Sequence, residues 1–265
     1  MSCLDPSSSL AGSPMPASAE RDTAADVETG AFRHVLIAFQ PIVDLKRRSV
    51  YAYEALVRGV RGEGALEVIG AVPLARRPVF DHRTMLLALF TAARLKLSTR
   101  LALNLAPSAF VHPGTIMSLR AAAASVGIPA RHVILELSES EPLNQRHIAE
   151  SLQAYQAMGF VTAIDDFGAG HAGLGLLASY QPQLLKIDRH LVDGVGHDTV
   201  RQTLIESVIG IAAKLGCVVV AEGVETAADA MQLLAYGVYL QQGYLYARPG
   251  VETLPAPDFS WMPAS

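Results

Sequence analysis

Seven apolar runs in this chain each end on, or close to, a side chain able to ligate a cation or move a proton. Glu54 lies in VYAYEALV with Arg58 just beyond it, Asn104 in RLALNL, and Glu136 in HVILELSE with Glu139 closing the run. Asp165 and Asp166 end VTAIDD, Lys186 and Asp188 lie in LLKID, Glu222 ends CVVVAE, and Gln242 lies in VYLQQG. Taken singly, an acid at a strand end is ordinarily a solvated cap, Arg58 could be a surface ion pair, and Gln242 a loop amide. Joint placement on seven consecutive runs is what points to a site. Oxygen ligands of this kind suit hard divalent cations, Mg2+ or Mn2+. One ion would hardly use so many. Two ions sharing a bridging carboxylate would, and such pairs, about 3.5–4 Å apart, serve in-line phosphoryl displacement.

Two of these residues are conspicuous by type. Asn104 is one of only two asparagines and sits inside an apolar run, where it needs partners. Lys186 is one of four lysines against 17 arginines, and the one inside an apolar run. A buried lysine beside a cationic site can lose its proton and handle water. Adjacent residues of a strand point opposite ways, so at most one of Asp165 and Asp166 faces into a barrel, and the other must turn into the loop opening. His171 follows that pair and could line the same mouth. Other chemistries are not supported: no histidines have the H-E-x-x-H zinc spacing, Ser138 is in no nucleophile elbow, and Asp166-Phe167-Gly168 lacks every other kinase motif.

The elements that must position these groups follow a repeating pattern. Helical stretches end in an apolar residue and a glycine (Gly127, Gly159, Gly216, Gly237), and an apolar, β-branched run follows. Glycine just past a helix end is a left-handed cap, and non-alternating apolar runs suit strands buried on both faces. In 201–215, apolar residues at 204, 208, 211, 212 and 215 make a helical stripe. Thr226 and Asp229 form a capping box for the next helix. Eight runs, counting HVLIAFQPI as the first, predict an α/β fold: a TIM-like (β/α)8 barrel. Only VDLKRRS separates the first two runs, too short for a crossover helix. The first strand is therefore expected antiparallel, and an open doubly wound sheet is the alternative. In a barrel all seven polar ends meet at one mouth.

Composition narrows the function. The chain has 265 residues, 51% hydrophobic, enough for a large core, and a formal net charge of -4 argues against a DNA or RNA polymer as partner. Cys3 and Cys217 are far apart and suggest neither disulfide nor zinc, so a reducing, cytoplasmic setting is expected. No run reaches the roughly 18 apolar residues of a membrane span, and the N-terminus lacks a signal-peptide core. Residues 1–30, rich in Ser, Ala and Pro, read as a disordered tail, 31–255 as the barrel, and 256–265 as a C-terminal tail.

The motifs together resemble the EAL family of cyclic dimeric GMP phosphodiesterases. Glu54-Ala55-Leu56 is the namesake, and FQPIVDL (39–45), LALNLAP (101–107), LELSE (135–139), IDDFGAG (164–170), LKIDR (185–189), VVAEGVET (219–226) and QGYLYARP (242–249) follow in family order. The resemblance implies hydrolysis of one 3′–5′ phosphodiester bond to give the linear dinucleotide. It implies a first metal held by Glu54, Asn104, Glu136 and Asp165, with Asp165 bridging and Asp166 and Glu222 serving the second. Lys186 would hold and help activate the attacking water, making Lys186, Glu222 and Glu54 the catalytic set. Arg58, Gln40, Gln242 and Pro249 would contact substrate, Glu139 would support the loop after the Asp pair, and Asp188 would act from behind it. A homodimer is also implied. Two departures from the common family pattern stand out, the first resembling a shorter variant found in some light-regulated members. The segment after the namesake motif is short and lacks W-x-H-P, and Ala169, Ala172 and Gly173 stand where hydroxyl residues are common. The alternative function is a catalytically silent module that binds the dinucleotide.

Overall fold

The computed structural model describes residues 35–105, 114–138, 145–170 and 173–262. Nine strands form one sheet: β1 (Val35–Asp44), β2 (Ser49–Gly59), β3 (Arg100–Asn104), β4 (Val133–Ser138), β5 (Val161–Phe167), β6 (Leu184–Ile187), β7 (Val218–Ala221), β8 (Leu240–Gln241) and β9 (Gly250–Val251). Strands β2 to β8 are parallel neighbours in sequence order, and β1 lies antiparallel to both β8 and β2, closing the barrel. The eight-stranded barrel with an inverted first strand is thus present. The β1–β2 hairpin is closed by Asp44, whose carboxylate accepts from Arg47 N at 3.1 Å and pairs with Arg47 Nη1 at 2.7 Å. β9 pairs antiparallel with β1 at Ala38 and Phe39. It is too short, at two residues, to leave a periodic signal in the sequence.

Eight helices accompany the described strands: α1 (Ala65–Gly70), α2 (Arg77–Arg94), α3 (Gly114–Ser125), α4 (Gln145–Ala157), α5 (Gly173–Ser179), α6 (Arg189–Val192), α7 (Thr199–Leu215) and α8 (Ala227–Ala235). The four glycines read as helix terminators all have positive φ, from 74 to 93°. The Thr226 cap is formed: its hydroxyl accepts from Asp229 N at 3.1 Å and donates to Asp229 Oδ2 at 2.6 Å. The stripe read on α7 is corrected. Ile205 and Ala212 are the buried residues, while Leu204, Ile211 and Leu215 stay 47, 36 and 36% exposed. Apolar residues lie on more than one side of this helix, so periodicity alone did not select the face that packs. The eighth run is also shorter than read, because Val238 belongs to the turn after α8, bonding back to Leu233 O at 2.9 Å. No helix among the described residues is long and apolar enough to cross a membrane.

Two cores stack around the strands. The larger fills the space between barrel and helices. Phe259, Trp261 and Met262, in the segment read as a tail past residue 255, pack against it. The smaller core is a ring inside the barrel: Ile42, Ala52, Ala102, Ile134, Ala163, Leu184, Val220 and Leu240, one residue from each of β1 to β8. That ring sets the position of everything above it.

Candidate active site

Side chains on a strand repeat every two residues on one face. Two residues beyond each ring member on β2 to β8 are Glu54, Asn104, Glu136, Asp165, Lys186, Glu222 and Gln242. On β1, which runs the other way, the matching position is two residues earlier, Gln40. The apolar ring is therefore followed, toward the C-terminal mouth, by a ring of eight polar residues. Six of the eight sit at 8% exposure or less; Glu222 is half-buried. Asn104 is exposed at the mouth rather than buried as its apolar run suggested, since it ends β3. Its Nδ2 donates to Glu54 Oε1 at 3.3 Å.

Asp166 is off this parity, and the backbone corrects for it. Its φ is 54°, and the β5–β6 register shifts between Ile164 and Phe167. A left-handed residue at a bulge re-aims its side chain. Both carboxylates thereby reach one place, with Asp166 N donating to Asp165 Oδ1 at 2.9 Å. The expectation that one faces inward while the other turns into the loop opening describes this geometry. Ser138, two residues past Glu136 on β4, donates to Asp166 Oδ2 at 3.1 Å. Sequence reading tested Ser138 only as a nucleophile; its parity with Glu136 was the signal for this supporting contact.

At the centre is Lys186, 1% exposed. Its Nζ lies 2.5 Å from Glu222 Oε1, 3.0 Å from Glu136 Oε1, 3.0 Å from Asp165 Oδ1 and 3.5 Å from Glu54 Oε2. Burial by itself would lower the Lys186 pKa, but Asp165, Glu136, Glu222 and Glu54 outweigh it and hold the ammonium well above the usual lysine value. Four carboxylates surround it, which no single run of sequence displays. Burial drives Glu136 well above the ordinary glutamate value, with Glu54 and Asp165 adding to the push and Lys186 opposing it. Burial likewise raises Glu222, reinforced by Asp165.

Four carboxylates surround this one ammonium and Asp166 stands beside Asp165, so the site has acceptors to spare. Glu136 illustrates it: neither oxygen has a hydrogen bond of good geometry, the 3.0 Å approach of Lys186 being out of line. Gln242 donates to Glu54 Oε2 at 2.8 Å and Gln40 Oε1 at 3.3 Å, yet its own Oε1 is unpartnered. Buried acceptors without donors are costly, and a cation would satisfy them. Two triads have ligand oxygens within 4.8 Å of one another: Glu54, Glu136 and Asp165, and Asp165, Asp166 and Glu222. Asp165 belongs to both, as a bridging ligand would. The donor set, oxygen only, fits a hard divalent cation.

A cavity of about 830 Å³ opens above the ring, lined by Gln40, Glu54, Asn104, Glu136, Asp165, Asp166, Glu222 and Gln242 among others. Small-molecule sites span roughly 300–1,000 Å³. Two glycines let the backbone close in beneath it. A Cβ on Gly243 would lie 2.6 Å from the Val224 carbonyl carbon, and one on Gly223 would meet the Arg189 stem within 3.0 Å.

Two residues expected at the substrate do not line this cavity. Arg58, two positions past the ring of polar residues' next layer on β2, folds back so that Nη1 donates to Val57 O at 2.7 Å, and it does not line the cavity. Pro249 does not line it either. Asp188 caps α6, accepting from His190 N at 2.7 Å and contacting His190 Nδ1 at 2.5 Å. Glu139 and His171 lie outside the described residues, as does the tail read at 1–30.

Residues 27–249 match the family model described as EAL domain. A crystal structure of a standalone versatile EAL protein from Vibrio cholerae O395, in its c-di-GMP bound form, is 37% identical and superposes with a TM-score of 0.83, covering 87% of this chain and 98% of that one. The blue light- and temperature-regulated antirepressor BluF of Escherichia coli is 31% identical over 222 residues, 83% of this chain and 55% of that protein. The probable cyclic di-GMP phosphodiesterase PdeN of Escherichia coli is 30% identical over 234 residues, 84% of this chain and 44% of that protein. The chain thus spans about half the length of these two curated relatives.

Proposed function

The chain belongs to the EAL-domain family, and from that premise we propose that it hydrolyses one 3′–5′ phosphodiester bond of cyclic dimeric GMP to the linear dinucleotide. The observation that carries this reading is the polar ring, with two carboxylate triads sharing Asp165 and a buried Glu136 whose oxygens lack donors. Relatives named as probable phosphodiesterases of this dinucleotide, and a neighbour that binds it, support the substrate.

Two divalent cations, Mg2+ or Mn2+, would be held by Glu54, Asn104, Glu136 and Asp165 on one side and by Asp165, Asp166 and Glu222 on the other. When bound they make a water more acidic and offset charge on the phosphoryl oxygens. The chain's own groups do the rest. Lys186 Nζ, between the two triads, donates to hold the attacking water. Glu222, half-buried at the opening, accepts that water's proton as its oxygen joins phosphorus and the P–O3′ bond breaks, and the departing O3′ takes a proton from solvent at the open mouth. Gln242 and Gln40 fix Glu54 through a chain of amide hydrogen bonds. A homodimer acting in the cytoplasm belongs to the same proposal.

A second reading, a silent binder of the dinucleotide, is favoured by the small residues Ala169, Ala172 and Gly173 after the Asp pair and by a relative named as an antirepressor. Incubation with cyclic dimeric GMP and Mg2+ or Mn2+, read by chromatography, separates the two. Linear dinucleotide should accumulate, and Glu54→Ala or chelator should stop it. Undiminished turnover in either case would sink the two-cation mechanism, and binding without turnover would establish the silent binder.

A further inference from the structure

The two ends of the barrel carry opposite charge. At the mouth stand the carboxylates of the polar ring and, on the segment between β2 and α2, an apolar wall that includes Leu66 and Leu74 beside Arg77. The other end is a floor made by the seven connections that lead into β2 to β8: residues 45–48, 95–99, 126–132, 158–160, 180–183, 216–217 and 236–239. No Asp or Glu occurs in any of them. They hold Lys46, Arg47, Arg48, Lys96 and Arg131, all exposed, and Arg100 begins β3 beside them. β1 ends at this level on Asp44, which is 5% exposed and paired with Arg47. Two of the cations lie over tyrosine rings: Lys46 Nζ is 5.5 Å from the centroid of Tyr239, and Arg100 Cζ 4.4 Å from that of Tyr51. Tyr239 and Val218, both at strand starts on this floor, are 43 and 51% exposed.

A chain of net charge -4 is repelled by an anionic partner on most approaches. Cations on the floor opposite a cluster of acids make it approach one way round. What the floor meets follows from how far the absence of acids extends. A bound peptide touches a strip and needs acids excluded only along it. A charged plane touches every connection, and a carboxylate in any of the seven would oppose it. The groove beside the floor, about 380 Å³ between α3 and Met158, is lined by a single cation among the described residues, Arg120, which is little for an acidic peptide. Exposed tyrosine and valine among lysine and arginine stems suit a lipid interface. Tyrosine settles there at headgroup level, and long cationic side chains keep their heads in water. We propose that the barrel floor docks on an anionic lipid surface, with the mouth turned to solvent so that the cavity stays open. No residue of the polar ring takes part, so the docking stands apart from the hydrolase reading.

Cosedimentation with lipid vesicles at low salt, without dinucleotide or metal, tests it. The chain should pellet with vesicles of equimolar phosphatidylcholine and phosphatidylglycerol, stay in solution with phosphatidylcholine alone, and be released by salt. Each cation near such a surface contributes roughly fivefold, so the double variant Lys46→Gln, Arg131→Gln should bind roughly 30-fold more weakly. Arg61→Gln with Arg76→Gln makes the same change of net charge in the segment after β2, at the mouth end. It should weaken binding less than about twofold. Thermal melts equal to wild type confirm that the variants fold. Equal losses in the two double variants would make the effect one of net charge and overturn the floor as the docking face. Equal binding to neutral and anionic vesicles would overturn the role of its cations. Retention on immobilised polyglutamate without vesicle binding would assign the floor to an acidic protein and overturn lipid docking, as would binding to neither.

Discussion

Replacing Lys186 by methionine, a near-isostere without charge, probes the centre of the site. The Nζ approaches four carboxylates at 2.5 to 3.5 Å, and both Lys186 and Glu136 are only 1% exposed. Removing one partner of a buried ion pair costs about 3–5 kcal/mol, because the remaining charge is stranded. For a domain of this size that corresponds to a fall in Tm of roughly 6–20 °C. The loss must depend on pH. The Lys186 pKa is raised, so its stabilisation is fully present below the ordinary lysine value of 10.5 and constant between pH 5 and pH 8. Glu136 and Glu222 are raised above 4.5, so a folded chain without the lysine relieves its repulsion by binding protons, and does so less readily at pH 8 than at pH 5. Thermal melts in chelator should therefore show a larger deficit for Lys186→Met at pH 8 than at pH 5. Mn2+ should return more stability to the variant than to the wild type. A variant as stable as wild type in chelator, or a deficit that does not grow with pH, would refute the assignment of Lys186 as counter-ion to the cluster.

Other substitutions separate the parts of the site and the scaffold. Calorimetric titration with Mn2+ should find two ions per wild-type chain, one in Asp166→Asn, and neither at full affinity in Asp165→Asn, which removes the shared ligand; equal effects of the two variants would argue against a bridging Asp165. Gly243→Ala would force a Cβ to 2.6 Å from the Val224 carbonyl carbon, and since backbone yields little, denaturant unfolding should show a loss of at least 1–3 kcal/mol, about the cost of overpacking. Thr226→Ala should cost about 1 kcal/mol by the same measurement, through the lost cap of α8, and should leave dinucleotide binding unchanged.

The legibility of the site follows from one regularity. Each of β2 to β8 carries a small or branched apolar residue followed two positions later by a polar one, as in Ala52/Glu54, Ile134/Glu136 and Val220/Glu222. Parallel strands ending at a common mouth place such residues at one height, so naming the polar ends was enough to name the ring. Where that regularity failed, so did the reading. Arg58 lies beyond that regularity, its Nη1 donating to Val57 O. The α7 stripe was read one face off because several faces of that helix are apolar. Residues of the apolar wall, Leu66, Leu74 and Arg77, went unnoticed because nothing in their spacing distinguishes a cavity wall from surface.

Sequence by itself determined the eight barrel strands, that β1 must run backwards, where four helices stop, and which polar side chains meet at the mouth. These are local properties: run length, glycine at a left-handed cap, loop length, residue type. Tertiary structure alone decided the rest, because it depends on atoms far apart in the chain meeting. The Lys186 ammonium is favoured because carboxylates on β2, β4 and β5 and just past β7 converge on it. Asp166 joins the ring because a bulge and a φ of 54° turn it there. And the cavity has an apolar wall because the short segment between β2 and α2 lines the mouth.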